Sequence, residues 1–282
     1  MQKSGLLFGT GGTPLSSKPQ TTVAGIERIA ALGLDCMEVQ FVQGVRMGEK
    51  SAAEVRQAAR ANGVALSVHA PYFVNLNAHE PEKIAASQQR LLQSARIGAI
   101  FEARSVIFHA AFYLSDPPDE VYQRVKARLS EVVAQLKAEG NTVCLRPEVT
   151  GKPSVFGSLS EILALSADIE GVNPCIDFAH WHARTGKNNS YEEFVGVLDK
   201  VQTRLGRAAL DNIHIHFSGI RYSKAGELSH LNLQEADLRY KELLRALKDR
   251  DAKGMVICES PNLESDASML KREFQQLTLK ER

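Results

Sequence analysis

Five of the eight histidines in this sequence stand at or just past the end of a short apolar run, and acidic residues hold the equivalent place in three more. The endings read Ser67-Val68-His69, Ile107-Phe108-His109, Arg146-Pro147-Glu148, Cys175-Ile176-Asp177 with His180 three residues on, His214-Ile215-His216 and Ile257-Cys258-Glu259. Imidazole supplies a neutral nitrogen donor, and a carboxylate can bridge two cations. His69, His109, His216, Glu148, Asp177 and Glu259 therefore suffice for two metals sharing one carboxylate. Such mixed ligation suits Zn²⁺, with Mn²⁺ or Fe²⁺ as alternatives. His180 and His230, the latter close to Glu227, add donors for a third ion. Neighbouring ions roughly 3.5–4 Å apart generate hydroxide and clamp the attacking and leaving oxygens of a phosphoryl displacement. A single ion in a similar setting suits sugar isomerisation or epimerisation, in which a carboxylate moves a proton beside a carbonyl.

The remaining histidines read differently. His79 lies in the polar stretch Asn77-Ala78-His79-Glu80-Pro81 and is expected to be solvated. His182 competes with His180 as a donor. Alternation along a strand puts His214 on the face of His216 but one layer deeper, where it supports rather than ligates.

To bring such residues together, the elements must deliver them at one level. Short β-branched or aromatic runs predict strands at 6–9, 36–41, 65–69, 105–109, 142–148, 173–177, 212–217 and 255–259. Helical periodicity predicts helices at 23–32, 52–61, 81–101, 119–138, 159–167, 191–204, 233–248 and 267–276. Gly33, Gly63, Gly140 and Gly254 mark stops ahead of following strands. Eight alternating pairs predict a single-domain (β/α)₈ TIM barrel over residues 1–282, close to the usual ~250 residues. The longer loops, 110–118, 150–158, 181–190 and 218–232, follow strands, on the face where barrels build active sites. A doubly wound sheet competes weakly. Phe8-Gly9-Thr10-Gly11-Gly12 lacks GxGxxG spacing, so these glycines read as a flexible first loop.

Composition narrows the setting. With 44% hydrophobic and 24% charged residues the chain reads as globular, without a bilayer-length apolar run or a secretory signal, so a cytoplasmic location is expected. Cys36, Cys144, Cys175 and Cys258 sit in predicted strands without CxxC spacing and read as buried thiols. A net charge of +1 does not announce a nucleic-acid binder, although a local basic rim would serve one.

Six stretches together resemble a known family: His69-Ala70-Pro71-Tyr72-Phe73-Val74-Asn75-Leu76, Phe108-His109, Arg146-Pro147-Glu148-Val149-Thr150-Gly151, Cys175-Ile176-Asp177-Phe178-Ala179-His180, His214-Ile215-His216-Phe217-Ser218-Gly219 and Cys258-Glu259-Ser260. The chain resembles the endonuclease IV family of apurinic/apyrimidinic endonucleases, within the xylose isomerase-like TIM barrels, from the third strand onward with a compatible start. The resemblance implies a monomer that cleaves duplex DNA on the 5′ side of abasic sites, leaving a 3′-hydroxyl, by attack of a metal-bridging hydroxide on phosphorus. Glu148 would be the catalytic carboxylate, holding one metal with His69 and His109 and bridging to a second with Asp177, His216 and Glu259. His180 and His230 would hold the third. The family completes that site with an aspartate two residues before the loop histidine; here Leu228 occupies that position and Glu227 is the nearest carboxylate. By the same resemblance Tyr72 and Phe73 would wedge into the base stack, with Arg46 a further candidate. Lys152, Arg184, Lys187, Arg221 and Lys224, on carboxyl-side loops, would meet phosphates.

Overall fold

The β-branched runs pair in parallel, one beside the next, because each is followed by a helix that carries the chain back to its starting end. In the computed structural model, which describes residues 5–279, the barrel strands are β1 (Leu6–Gly11), β2 (Cys36–Gln40), β3 (Ala65–His69), β4 (Ser105–Phe108), β5 (Cys144–Pro147), β6 (Cys175–Asp177), β7 (Ile213–Phe217) and β10 (Gly254–Cys258). They are hydrogen-bonded in the order β5-β4-β3-β2-β1-β10-β7-β6. Parallel bridges from Leu145 to Val172 and from Glu148 to Cys175 join the two ends, with Val149 N donating to Cys175 O at 3.1 Å. The cylinder is thereby closed.

The helices are α1 (Thr22–Ala31), α2 (Glu49–Asn62), α3 (Pro81–Ile100), α4 (Pro118–Ala138), α5 (Leu159–Asp168), α6 (Phe178–Thr185), α7 (Tyr191–Leu205), α8 (Arg207–Asp211), α9 (Tyr240–Asp249) and α10 (Glu264–Leu279). No helix among the described residues is long and apolar enough to cross a membrane. The main core lies between the strands and this outer layer, while Leu7, Cys36, Met255 and Ile257 form a separate small cluster. Period-two alternation accounts for the split. On β2, for example, Met37 and Val39 belong to the outer core, and Cys36 and Glu38 point to the lumen. Gly9 in β1 is tied to close strand approach: a Cβ there would lie 1.7 Å from the Cys36 carbonyl oxygen. The strand expected to end at Gly9 runs on to Gly11, so the loop reading is corrected for Gly11.

Buried charge also ties the barrel together. Arg146, 2% exposed, donates from Nε to Ser105 Oγ at 2.7 Å, from Nη1 to Pro174 O at 2.9 Å and from Nη2 to Asn212 O at 2.8 Å. It links β4 and β5 with the chain entering β6 and β7.

Three features depart from expectation. Residues 178–185 form α6, and residues 219–231 form an antiparallel hairpin, β8 (Gly219–Ser223) and β9 (Gly226–Leu231), where loops were expected. The helix expected from 233 begins only at Tyr240, after a 3₁₀ turn at Leu233–Glu235. Tertiary acceptors replace helical ones there: Leu233 N donates to Asp266 Oδ2 and Arg239 N to Asn189 Oδ1, each at 2.8 Å.

Candidate metal centre

Because every barrel strand ends at the same rim, residues at strand ends converge there. Glu148 is the hub. Its Oε2 lies 3.3 Å from His69 Nε2 and 3.2 Å from His109 Nε2, and its Oε1 lies 3.2 Å from His216 Nδ1. At the end of the neighbouring strand, Glu259 Oε2 lies 3.4 Å from the same His216 Nδ1. Donor atoms of His69, His109 and Glu148 fall within 4.8 Å of one another, and the same holds for Glu148, Asp177, His216 and Glu259. A third group, His180, Glu227 and His230, meets this limit too. All nine expected ligands are thus gathered in three adjoining clusters.

Local structure aims several of them. Asp177 caps α6, its Oδ1 accepting from His180 N at 2.6 Å, which leaves Oδ2 turned toward the lumen. The Nδ1 atoms of His69, His180 and His230 face main-chain carbonyls, Ala70 at 2.8 Å, Val149 at 3.1 Å and Glu259 at 3.1 Å, and His180 Nδ1 also lies 3.0 Å from Glu148 Oε1 and 3.2 Å from Asp177 Oδ2. Donation from Nδ1 leaves each Nε2 bare for a cation.

Glu227 reaches the third cluster through a change of phase. In the hairpin Arg221 pairs with Ser229 but Tyr222 pairs with Glu227, so Leu228 is an extra residue on β9. Such a bulge resets the alternation of side chains. Glu227 and His230, three residues apart, consequently share a face, while Leu228 is 60% exposed. Glu227 Oε2 sits 3.5 Å from His180 Nε2, and His230 Nε2 is 3.4 Å from the same atom.

The electrostatics are those of a ligand shell. Glu148 Oε1, Asp177 Oδ2 and both ring nitrogens of His216 are buried without an aligned hydrogen-bond partner. Orphaned buried atoms of this kind demand a partner. Their donor types fit a divalent cation. Burial alone would raise Glu148, yet His216 and His109 beside it hold it well below the usual carboxylate range. Asp177 is pushed up to about 6, first by burial and then by the charges of Glu148 and Glu259, against the opposing pull of His180. Burial would lower His180 and His216, but surrounding acidic groups, led by Asp177 for His180 and by Cys175 and Glu259 for His216, raise both well above their ordinary value. Glu227 falls to about 2, chiefly through its hydrogen bond with His180.

Below this rim lies a residue that no strand-end pattern in the sequence marks. Glu38 is fully buried, accepting from Ser67 Oγ at 2.9 Å and facing His214 Nε2 and His216 Nε2 at 3.1 Å each. A carboxylate within the buried strand Cys36-Met37-Glu38-Val39-Gln40 was the available signal. His214, pushed down to about 4 chiefly by burial, meets Glu38 as a neutral ring, in the supporting position expected of it.

Other expectations separate clearly. His182 is directed away, to Lys187 O and Asp237, and His79 pairs with Asp116 at 2.7 Å. Cys36, Cys175 and Cys258 are buried, Cys144 half-buried, and all four are free thiols. Tyr72 and Phe73 stand out from the rim, 53% and 61% exposed. Arg46, Lys152, Lys187, Arg221 and Lys224 are exposed as well. Arg184 is corrected: its Nη1 donates to Thr150 Oγ1 at 3.0 Å and Val155 O at 2.8 Å, so its guanidinium braces the loop after β5.

Similarity to known proteins follows this geometry. The chain is 40% identical over 273 residues to an uncharacterized protein of Methanocaldococcus jannaschii, covering 96% of this chain and 98% of that one. It is 21% identical over 217 residues to a probable endonuclease 4 of Mycoplasma genitalium, covering 75% and 72%. Among solved structures, a D-tagatose 3-epimerase-like protein superposes with a TM-score of 0.76 at 17% identity, covering 98% and 99%. Endonuclease IV from Thermus thermophilus superposes with a TM-score of 0.73 at 21% identity, covering 99% and 100%. Residues 26–278 match the family of xylose isomerase-like TIM barrels, and the chain belongs to that family.

Proposed function

We propose that this protein is a metal-dependent phosphodiesterase that cleaves duplex DNA at the 5′ side of abasic sites. The observation that carries this reading is the convergence of three donor clusters around one buried carboxylate, Glu148. His69, His109 and Glu148 would hold one ion. Glu148 would be shared with a second, held also by Asp177, His216 and Glu259. His180, Glu227 and His230 would take a third. Bound there, Zn²⁺ or a similar ion would supply a hydroxide nucleophile and neutralise charge on a phosphodiester.

The chain's own groups prepare the substrate. Three dications held there would be only partly neutralised by the four ligand carboxylates, which would suit an anionic phosphate better than a neutral sugar. Tyr72 and Phe73 present an apolar edge to the base stack, and Lys152, Arg221 and Lys224 lie on the same side to meet phosphates. The decisive experiment is incubation of the zinc-loaded protein with a duplex carrying one abasic site. We expect a single nick leaving a 3′-hydroxyl, abolished by chelation and by Glu148→Gln. A fully metallated protein that leaves this duplex intact would overturn the reading.

One alternative has its own support. Glu148, Asp177, His216 and Glu259 would suffice to hold one ion, and two of them are glutamates that could move a proton in sugar epimerisation. One ion per chain and exchange of a ketose C–H proton with heavy water would favour that chemistry. The clusters at His69–His109 and His180–His230 would then have no purpose.

A further inference from the structure

We propose that Glu38 is a positioning residue for the metal centre, holding His216 with its proton on Nε2 so that Nδ1 is presented bare to the ion. The inference rests on the metal-site reading and not on the choice of DNA as substrate.

His216 lies between two levels of carboxylate. Its Nδ1 is 3.2 Å from Glu148 Oε1 and 3.4 Å from Glu259 Oε2, whereas its Nε2 is 3.1 Å from Glu38 Oε1. An imidazole that binds a cation through one nitrogen keeps its proton on the other, and an acceptor facing that proton selects the tautomer and strengthens the donor. For His69 and His230 the acceptor is a main-chain carbonyl, while His180 Nδ1 has the Val149 carbonyl beside the carboxylates of Glu148 and Asp177. For His216 the group facing Nε2 is a side chain from a different strand, at ion-pair distance although the ring is not aligned on it as a hydrogen bond, and that side chain is itself held from several directions. Ser67 Oγ donates to Glu38 Oε2 at 2.9 Å, Gln40 Nε2 donates to Oε1 at 3.2 Å, and His214 Nε2 faces Oε2 at 3.1 Å. Glu38 is 0% exposed, so no bulk water is at hand to replace it. The register places it there: Glu38 pairs with Ser67 across β2 and β3, while His214 and His216 rise on the same face of β7. A fixed acceptor beneath a ligand ring is how a barrel lumen can preorganise a site without using loops.

Glu38→Gln is the test, because it keeps the volume but leaves one acceptor oxygen where two served. Zinc affinity of the purified full chain would be measured by competition with a chromophoric chelator. In parallel, long-range ¹H–¹⁵N spectra of the histidine rings would report the tautomer of His216. We expect the weakest-bound ion of the variant to lose about 10–100-fold in affinity, with a mixed tautomer at His216 and an unchanged fold by circular dichroism. Glu38→Gln binding every ion as tightly as wild type would overturn the proposal. So would a wild-type spectrum showing His216 protonated on Nδ1, a result that does not depend on the variant folding. Neither readout uses DNA, so a zinc-loaded protein inert on abasic duplexes would sink the nuclease reading and leave this one standing.

Discussion

Gly151→Ala isolates the third cluster from the other two. Gly151 lies just past β5, and a Cβ at this position would sit 2.7 Å from both Cβ and Oε2 of Glu227 and 3.1 Å from His180 Cδ2. Optimal carbon–carbon contact is about 3.5–4.0 Å, so Glu227 must retreat by roughly 1 Å. It cannot do so by a rotamer change alone, since its Cβ is also in conflict. The backbone is clamped as well: Glu227 N donates to Gly151 O at 3.0 Å, and Gly226 packs against the same carbonyl. The hairpin must therefore shift as a unit. A displacement of about 1 Å at a preorganised site costs on the order of 100-fold, or about 2.7 kcal/mol. Overpacking should cost a further ~1–3 kcal/mol of stability, seen as a fall in Tm of several degrees for a chain of this size. The assay is stepwise zinc titration with elemental analysis of the dialysed protein. Three ions should become two, with affinity for those two preserved. Retention of three ions at wild-type affinity would refute the assignment of Glu227; loss of all three from a folded variant would refute the independence of the clusters.

Three further outcomes follow from the same geometry. In the chelated protein Asp177, His180 and His216 all bind protons more tightly than in an unfolded chain. Their raised values add stability at low pH that is lost as pH rises through about 6 and beyond, so apoprotein Tm should fall across pH 6–8 while the increment given by zinc grows; a flat or rising apoprotein curve would contradict the pairing. Arg146→Met removes three charge-assisted hydrogen bonds and takes the guanidinium away from Ser105 Oγ, Pro174 O and Asn212 O; allowing for the desolvation that is relieved, denaturant unfolding should show a loss of about 3–5 kcal/mol, and a change under about 1 kcal/mol would show that the buried guanidinium is dispensable. Tyr72→Ala with Phe73→Ala should weaken binding of abasic duplex by about 1–3 kcal/mol per lost stacking contact while leaving zinc content untouched, and unchanged affinity in a binding assay would remove the wedge role.

The legibility of this protein divides along a physical line. His69, His109, Glu148, Asp177, His216 and Glu259 were recognisable because each closes an apolar run, and parallel strands wound by right-handed crossovers end at a common rim. Both the chemical type of a side chain and its level along the barrel axis are local properties, carried by strand length and period-two alternation. Exposure of Tyr72 and Phe73, the bracing role of Arg184 and the tight strand contact at Gly9 are not local. Each depends on a neighbour distant in sequence: open solvent beyond the rim, the loop after β5, and the Cys36 carbonyl.

Glu38 and Glu227 mark the same boundary. Nothing adjacent to Glu38 says that His214 and His216, more than 170 residues later, will rise beside it; barrel closure does. Leu228 occupies the position where simple alternation would place a partner for His230, and only the bulge between the two hairpin strands turns Glu227 inward instead. Sequence alone determined the strand–helix alternation, the donor types and the end of the barrel that carries them. Tertiary structure decided which donors meet and which tautomers they adopt, because lateral distances across a lumen are set by register and packing between segments that no local pattern encodes.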